Sequence, residues 1–227
     1  MTDFKKFKAA LIDMDGVLYD SMPYHAKAWH TMFTSQGIET DPDEFFLYEG
    51  MTGGDTIDLI FLRELGRHAE ENEKHALYEE KARLFKTSGI KKMMPGASQM
   101  LESFKNMGLK RVLVTGSAQG SLLESLDRDY SGHFPPERRV TALDVKHGKP
   151  HPEPYLMGAL KAGLPPHECM VVENAPLGVR AAKAAGCFTV AVMTGPIPRE
   201  EFEKEGADLI FPSVDAFCSA LDDCAGK

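Results

Sequence analysis

Residues 8–19 read KAALIDMDGVLY, an apolar run that stops abruptly at two carboxylates and a glycine, Asp13, Asp15 and Gly16. Few folds tolerate that pattern. Ionised carboxylates are costly to bury unpaired, so a short buried strand ending in two of them does not suit an ordinary core. A parallel α/β sheet accommodates it, because ligands bind in the crevice outside the C-terminal ends of its strands. Residues i and i+2 of an extended segment face the same side, which lets Asp13 and Asp15 share one small pocket.

Beyond Pro95, helical stretches at 97–107, 121–129, 153–162 and 177–185 alternate with apolar runs at 111–114, 140–142, 169–172, 188–192 and 208–211. A last helical stretch covers 214–221. Strands alternating with helices of about 10 residues predict a parallel, doubly wound sheet. Residues 41–89 differ in character, being rich in Glu, Lys and Arg and lacking β-branched runs. Periodicity predicts helices at 22–36, closed by Gly37, and at 41–47, 55–65 and 70–85. In the third of these, Ile57, Ile60, Phe61 and Leu65 form an amphipathic stripe. The expected division is an α/β core of residues 1–19 and 91–227 with an inserted all-helical cap of residues 20–90.

With 227 residues, 43% of them hydrophobic, the chain can bury a sizeable core without staples. A formal charge of −8 and the lack of any basic run argue against a nucleic-acid partner. The four cysteines, Cys169, Cys187, Cys218 and Cys224, form no CxxC and no zinc-type spacing. No stretch approaches the roughly 18 apolar residues of a membrane span, and the N-terminus lacks a signal peptide's apolar run. The expectation is a soluble, cytoplasmic protein that acts on a small molecule, with no membrane and no obligate protein partner.

Polar groups at the ends of parallel strands converge, and here they assemble the parts of phosphoryl transfer. Asp13 and Asp15 offer a nucleophile and a proton carrier. Thr115-Gly116-Ser117 offer hydroxyl and amide donors to phosphate oxygens, and Lys149 a point charge against developing negative charge. Asp13, Glu173 and Asn174 offer hard oxygen ligands for Mg²⁺, the expected cofactor.

Asp13-Met14-Asp15-Gly16-Val17, then Thr115-Gly116-Ser117, Lys149-Pro150 and Glu173-Asn174 in order, resemble the haloacid dehalogenase superfamily. The fold implied is a Rossmann-like core with a parallel sheet flanked by helices, carrying a helical cap of the superfamily's first class. Tyr24-His25, Ala28-Trp29 and the run from Gly148 to Tyr155 resemble its β-phosphoglucomutase-like phosphatase branch. The resemblance implies that Asp13 forms an aspartyl-phosphate and ligates Mg²⁺. Asp15 ligates through its backbone carbonyl while its side chain acts as acid and then base. Thr115 and Lys149 hold the transferring group.

Two departures bear on the substrate. The acidic pair usual on the fourth strand is Glu173-Asn174, which keeps an oxygen but removes one negative charge. Glu49, in the Tyr48-Glu49-Gly50 turn, is either the compensating metal ligand or an ordinary solvent-facing residue. Where the branch's mutases carry a cap arginine for a distal phosphate, this chain has glycine, about Gly53. A cap glutamate beside a fourth-motif asparagine resembles a Bacteroides inorganic pyrophosphatase of the branch, and pyrophosphate is the expected substrate. The alternatives are a small sugar-phosphate phosphatase, a phosphosugar mutase, or an inactive binding protein of the same fold. Among substrate-binding candidates, His25 either orients Asp15 or touches a leaving group, or is a hinge histidine. Lys81 either contacts a distal phosphate or belongs to a solvated charged face with Glu79, Glu80 and Arg83.

Overall fold

The protein is described from a computed structural model over residues 3–89, 92–117 and 120–225. At its centre lies β1 (Ala9–Ile12), every residue of which is buried. The cause is pairing on both edges: β1 runs parallel to β4 (Lys110–Val114) on one side and to β6 (Cys169–Glu173) on the other. Adding β5 (Arg139–Val140), β7 (Phe188–Val192) and β8 (Leu209–Phe211) gives a six-stranded sheet in the order β5-β4-β1-β6-β7-β8, parallel throughout. The chain builds outward from β1 through β4 to β5, then crosses back to β6, so strand order reverses beside β1. A crevice opens at the C-terminal ends where that happens.

Helices cover both faces, as strands buried on both sides require. One face carries α4 (Ala97–Asn106), α5 (Gly120–Asp129) and α9 (Val214–Ala225), which contribute Met100, Phe104, Leu126 and Phe217. The other carries α6 (Glu153–Ala162) and α7 (Pro176–Ala184), with Tyr155, Ala159 and Ala181 turned inward. Small residues let α6 come close: a Cβ at Gly158 would lie 2.9 Å from Val114 Cγ2. A short α8 (Arg199–Lys204) seats Phe202 in a satellite cluster with Val179 and Ala191.

Between β1 and β4 the chain leaves the sheet through β2 (Tyr19–Asp20) and returns through β3 (Lys92–Met93). The two pair antiparallel, Tyr19 opposite Met93 and Asp20 opposite Lys92. Three helices lie between them: α1 (Met22–Ser35), α2 (Gly53–Leu65) and α3 (Glu71–Thr87). They enclose a core of their own, where Trp29, Phe33 and Phe45 stack with centroids 5.8–6.2 Å apart. Among the described residues no helix is long and apolar enough to cross a membrane.

Several local expectations change. The helix expected at 41–47 is a single 3₁₀ turn, Pro42–Phe46. Asp41 and Glu44 cap its start reciprocally, and Gly50 at φ +90° then diverts the chain before a second turn can form. The strand expected at 140–142 is Arg139–Val140, at the sheet edge. The paired β2 and β3 are too short to carry any periodicity, and α8 likewise lacked a signal. The expected division between residues 90 and 91 lies outside the described residues.

Candidate active site

Asp13 follows the last residue of β1, and its backbone N–H still donates to Val172 O at 3.1 Å, holding it in the sheet's line. Its carboxylate is 4% exposed. Lys149 Nζ, fully enclosed, donates to Asp13 Oδ1 and to Glu173 Oε1, each at 2.5 Å, and to Val114 O at 3.3 Å. Tyr155 Oη, from α6, also donates to Glu173 Oε1 at 2.5 Å. The other oxygen of Glu173 accepts from the backbone amides of Asn174 and Ala175. Glu173, a metal candidate in the sequence, is therefore committed elsewhere. Both oxygens are occupied, and its position fixes the Lys149 ammonium against Asp13. Burial pulls the Lys149 ammonium down, but Asp13 and Glu173 outweigh it, so it stays charged above its ordinary range.

Asp15 lies two residues on, on the same side. Ser21 Oγ donates to Asp15 Oδ1 at 2.5 Å, and His25 Nε2 sits 3.1 Å from the same oxygen. Behind it, Lys81 Nζ lies 2.7 Å from His25 Nδ1. With the ammonium donating to Nδ1, the ring carries its proton on Nε2 and donates to Asp15. Burial pushes the Asp15 carboxyl up, while His25, Ser21 and Lys81 together more than offset it and hold it below its ordinary value. Lys81 belongs to no solvated face. It is 3% exposed, its Nζ 4.9 Å from the Trp29 ring and 5.4 Å from that of Phe85, and burial pulls its pKa down to about 7.

Glu49 is buried and reaches Asn174, whose Nδ2 donates to Glu49 Oε2 at 2.9 Å. The remaining oxygens of that pair, Glu49 Oε1 and Asn174 Oδ1, are buried without any hydrogen-bond partner. Such atoms call for a partner from outside the chain. Burial and the neighbouring carboxylates push both Asp13 and Glu49 well above the ordinary carboxylate range, against the Lys149 ammonium at Asp13 and the Asn174 hydrogen bond at Glu49. Among the described residues no three His, Cys, Asp or Glu side chains form a ready-made cage. Two carboxylates and one amide oxygen nevertheless fit Mg²⁺, which takes few protein oxygens and keeps several waters. Gly16 makes this proximity possible. Its φ is +81°, and a Cβ there would fall 1.9 Å from Asn174 Nδ2.

Thr115, one residue past β4, is 3% exposed and accepts from the Ser117 amide at 3.0 Å through its Oγ1. Here the insertion rests on the core: a Cβ on Gly116 would meet Gly50 O at 2.9 Å, and one on Gly148 would meet Thr52 N at 2.9 Å. A cleft remains, with Asp13, Asp15, Thr115, Gly116 and Ser117 below and Trp29, Phe45, Tyr48, Glu49, Tyr78 and Lys81 above. His147 and His151 lie against each other with tilted rings 4.8 Å apart and touch none of these groups through any described hydrogen bond. The arrangement offers one carboxylate held by a lysine, a second held by a histidine, and a recess of donors beside them.

The model of the haloacid dehalogenase-like hydrolase family matches residues 7–186. The chain belongs to that family. Hexitol phosphatase A of Escherichia coli is 33% identical over 209 residues, covering 92% of each chain. A phosphorylated carbohydrates phosphatase of Thermotoga maritima is 33% identical over 180 residues, 79% of this chain and 82% of the relative. A solved structure from Bacteroides vulgatus, provisionally assigned as a beta-phosphoglucomutase, superposes with a TM-score of 0.93 at 44% identity, covering 97% of this chain and 89% of its own. Together with the fold these support the β-phosphoglucomutase-like branch and a hydrolase of phosphate esters. They give the expectation of pyrophosphate no support, since the named relatives are sugar-phosphate enzymes.

Three residues in this haloacid dehalogenase-like site were assigned no role from the sequence. Ser21 precedes α1 as a helix cap would, yet makes no capping bond and gives its hydroxyl to Asp15. Tyr155 closes the motif run from Gly148 but had no role assigned to it, Tyr78 stood in no motif, and only their placement brings them to Glu173 and to the cleft.

Proposed function

We propose that this chain hydrolyses small sugar or polyol phosphate monoesters in two steps through Asp13. The observation that carries the reading is Asp13, buried at the end of the central strand and paired to Lys149 at 2.5 Å, beside Asp15. In the first step an Asp13 oxygen attacks phosphorus and the ester P–O bond breaks, while Asp15, ionised before the substrate binds, takes up the proton that a monoanionic phosphate ester brings and passes it to the departing alkoxide. In the second, Asp15 takes a proton from water, the hydroxide attacks phosphorus, and the Asp13–phosphate bond breaks. Lys149 and the Thr115–Ser117 donors bind the equatorial oxygens, where transition-state charge is spread. Ser21 and His25 orient Asp15 between steps, and the helical layer of residues 20–90 serves as the cap that excludes water. Mg²⁺, held by Asp13, Asn174, Glu49 and the Asp15 carbonyl, would neutralise charge on the phosphoryl group. The buried free thiols of Cys169, Cys187 and Cys218 accord with a reducing, cytoplasmic setting.

Relatives that act on hexitol and carbohydrate phosphates support the ester reading. A second reading, inorganic pyrophosphate, draws support from one feature: the Glu49–Asn174 pair gives the cap an acidic group at the metal, in place of a cation for a distant phosphate. Phosphate release from glycerol, hexitol and hexose phosphates, β-glucose 1-phosphate and pyrophosphate, with and without Mg²⁺, decides between them. Esters are expected to turn over and Asp13→Asn to lose at least about 10³-fold in kcat. A preference for pyrophosphate favours the second reading, and activity persisting in Asp13→Asn excludes the covalent route.

A further inference from the structure

Gly53 and Tyr78 meet in the upper wall of the cleft, and both line it. A Cβ on Gly53 would lie 2.2 Å from Tyr78 Cδ2 and 2.3 Å from Cε2, so the ring fills the space that any side chain at 53 would need. The backbone of Gly53 lies outside the left-handed region, and the residue opens α2, where alanine would favour the helix. Backbone conformation therefore does not require glycine here; the tyrosine ring does.

The other rings of this wall belong to the insertion's core. Trp29 and Phe45 are 8% and 2% exposed and stack 6.2 Å apart, so trimming either removes packing. Tyr78 is different. It is half-buried, backed by bare glycine backbone, with its centroid 6.3 Å from Trp29 and the Lys81 ammonium 5.9 Å away. Its ring lines the same cleft as Asp13 and Asp15 and takes up space that a substrate there would share.

We propose that Tyr78, seated on Gly53, is a specificity-determining residue that limits the length of the leaving group. This rests on the phosphohydrolase reading. A three-carbon polyol phosphate ends before the ring, whereas a six-carbon one runs into it. Removing the ring admits the longer chain. Adding a Cβ at Gly53 acts only by displacing the ring.

The test is binding, read from the fluorescence of Trp29, the sole tryptophan. Glycerol 1-phosphate and hexitol 6-phosphate are titrated into Asp13→Asn protein with Mg²⁺, so that no ligand is consumed. Tyr78→Ala is expected to shift the Kd ratio toward the six-carbon ester by about tenfold or more, and Tyr78→Phe to keep the parent ratio. Gly53→Ala is expected to change the ratio in the presence of Tyr78 and to have no effect on it in Tyr78→Ala. An unchanged ratio in Tyr78→Ala overturns the proposal, as does a Gly53→Ala effect that survives there. Turnover by the unmutated protein is measured in parallel. Failure on every ester refutes the phosphohydrolase reading, while the Kd ratios still decide the role of Tyr78.

Discussion

Lys81 carries an ionisable group into a place where its charge is poorly solvated, and that has a consequence for pH. Its folded pKa of about 7 lies below the ordinary 10.5, so between those values the unfolded chain holds a proton that the folded chain has released. Stability then rises with pH across that window. Lys81→Met should remove that part of the slope: from pH 7 to 9.5 the urea midpoint of the parent should climb relative to the variant's. Equal slopes would show that Lys81 keeps an ordinary affinity for its proton. Glu49 gives a second prediction. If its orphaned oxygen serves a cation, Glu49→Ala should raise the half-saturating Mg²⁺ concentration about tenfold, and an unchanged value would assign Glu49 to Asn174 alone. At this scale Asp13, Asp15 and Thr115 were legible because parallel sheets gather strand ends, and Lys149 because its loop carries a motif that follows theirs in order. Lys81 was legible only as one of two alternatives, because Glu79, Glu80 and Arg83 around it advertise a wet helix face that its own side chain leaves.

Elements here differ in how much they reveal of themselves. The inner strands are continuous apolar runs with helical stretches between them, and their order along the chain is enough to predict a parallel sheet. Two-residue β2 and β3 have no pattern to read, since pairing across 73 positions (Tyr19 opposite Met93 leaves 73 residues between them) makes them strands. The 3₁₀ turn at Pro42–Phe46 has a helix's capping signal without a helix's length. Helix α6 shows what close packing demands of an element. Its Gly158 sits against Val114 and Leu11, so Gly158→Val should destabilise the protein by about 1–3 kcal/mol despite leaving the polar site untouched. Equilibrium urea unfolding checks this, and a neutral result would mean that α6 can move off the sheet freely.

Across the molecule, two hydrophobic bodies meet at a cleft that neither closes alone. One is the sheet with its helices; the other is the aromatic cluster of α1–α3. A ligand gripping both adds a term to folding that depends on its concentration. Orthophosphate with Mg²⁺ at 100 times its Kd should stabilise the protein by about 2.7 kcal/mol, and Tm should rise with ligand. At the same concentration Glu49→Ala should show a smaller rise, and the absence of any phosphate-dependent shift would count against the cleft as an anion site. The change in residue character over 41–89 is what suggests a division in the sequence, whereas the contact through Gly50, Gly116 and Gly148 depends on a closeness that no local pattern encodes.

The ribbon of β2 and β3 has a bearing on tolerance of insertion. Because Asp20 and Lys92 stand opposite each other in an antiparallel pair, everything between them occupies the position of a hairpin's tip. A length of chain inserted at such a point leaves the register of every other strand unchanged, whatever its size. A changed segment would leave Asp13, Asp15, Thr115 and Lys149 in place while replacing Ser21, His25, Lys81 and Glu49, which reach the site from between β2 and β3.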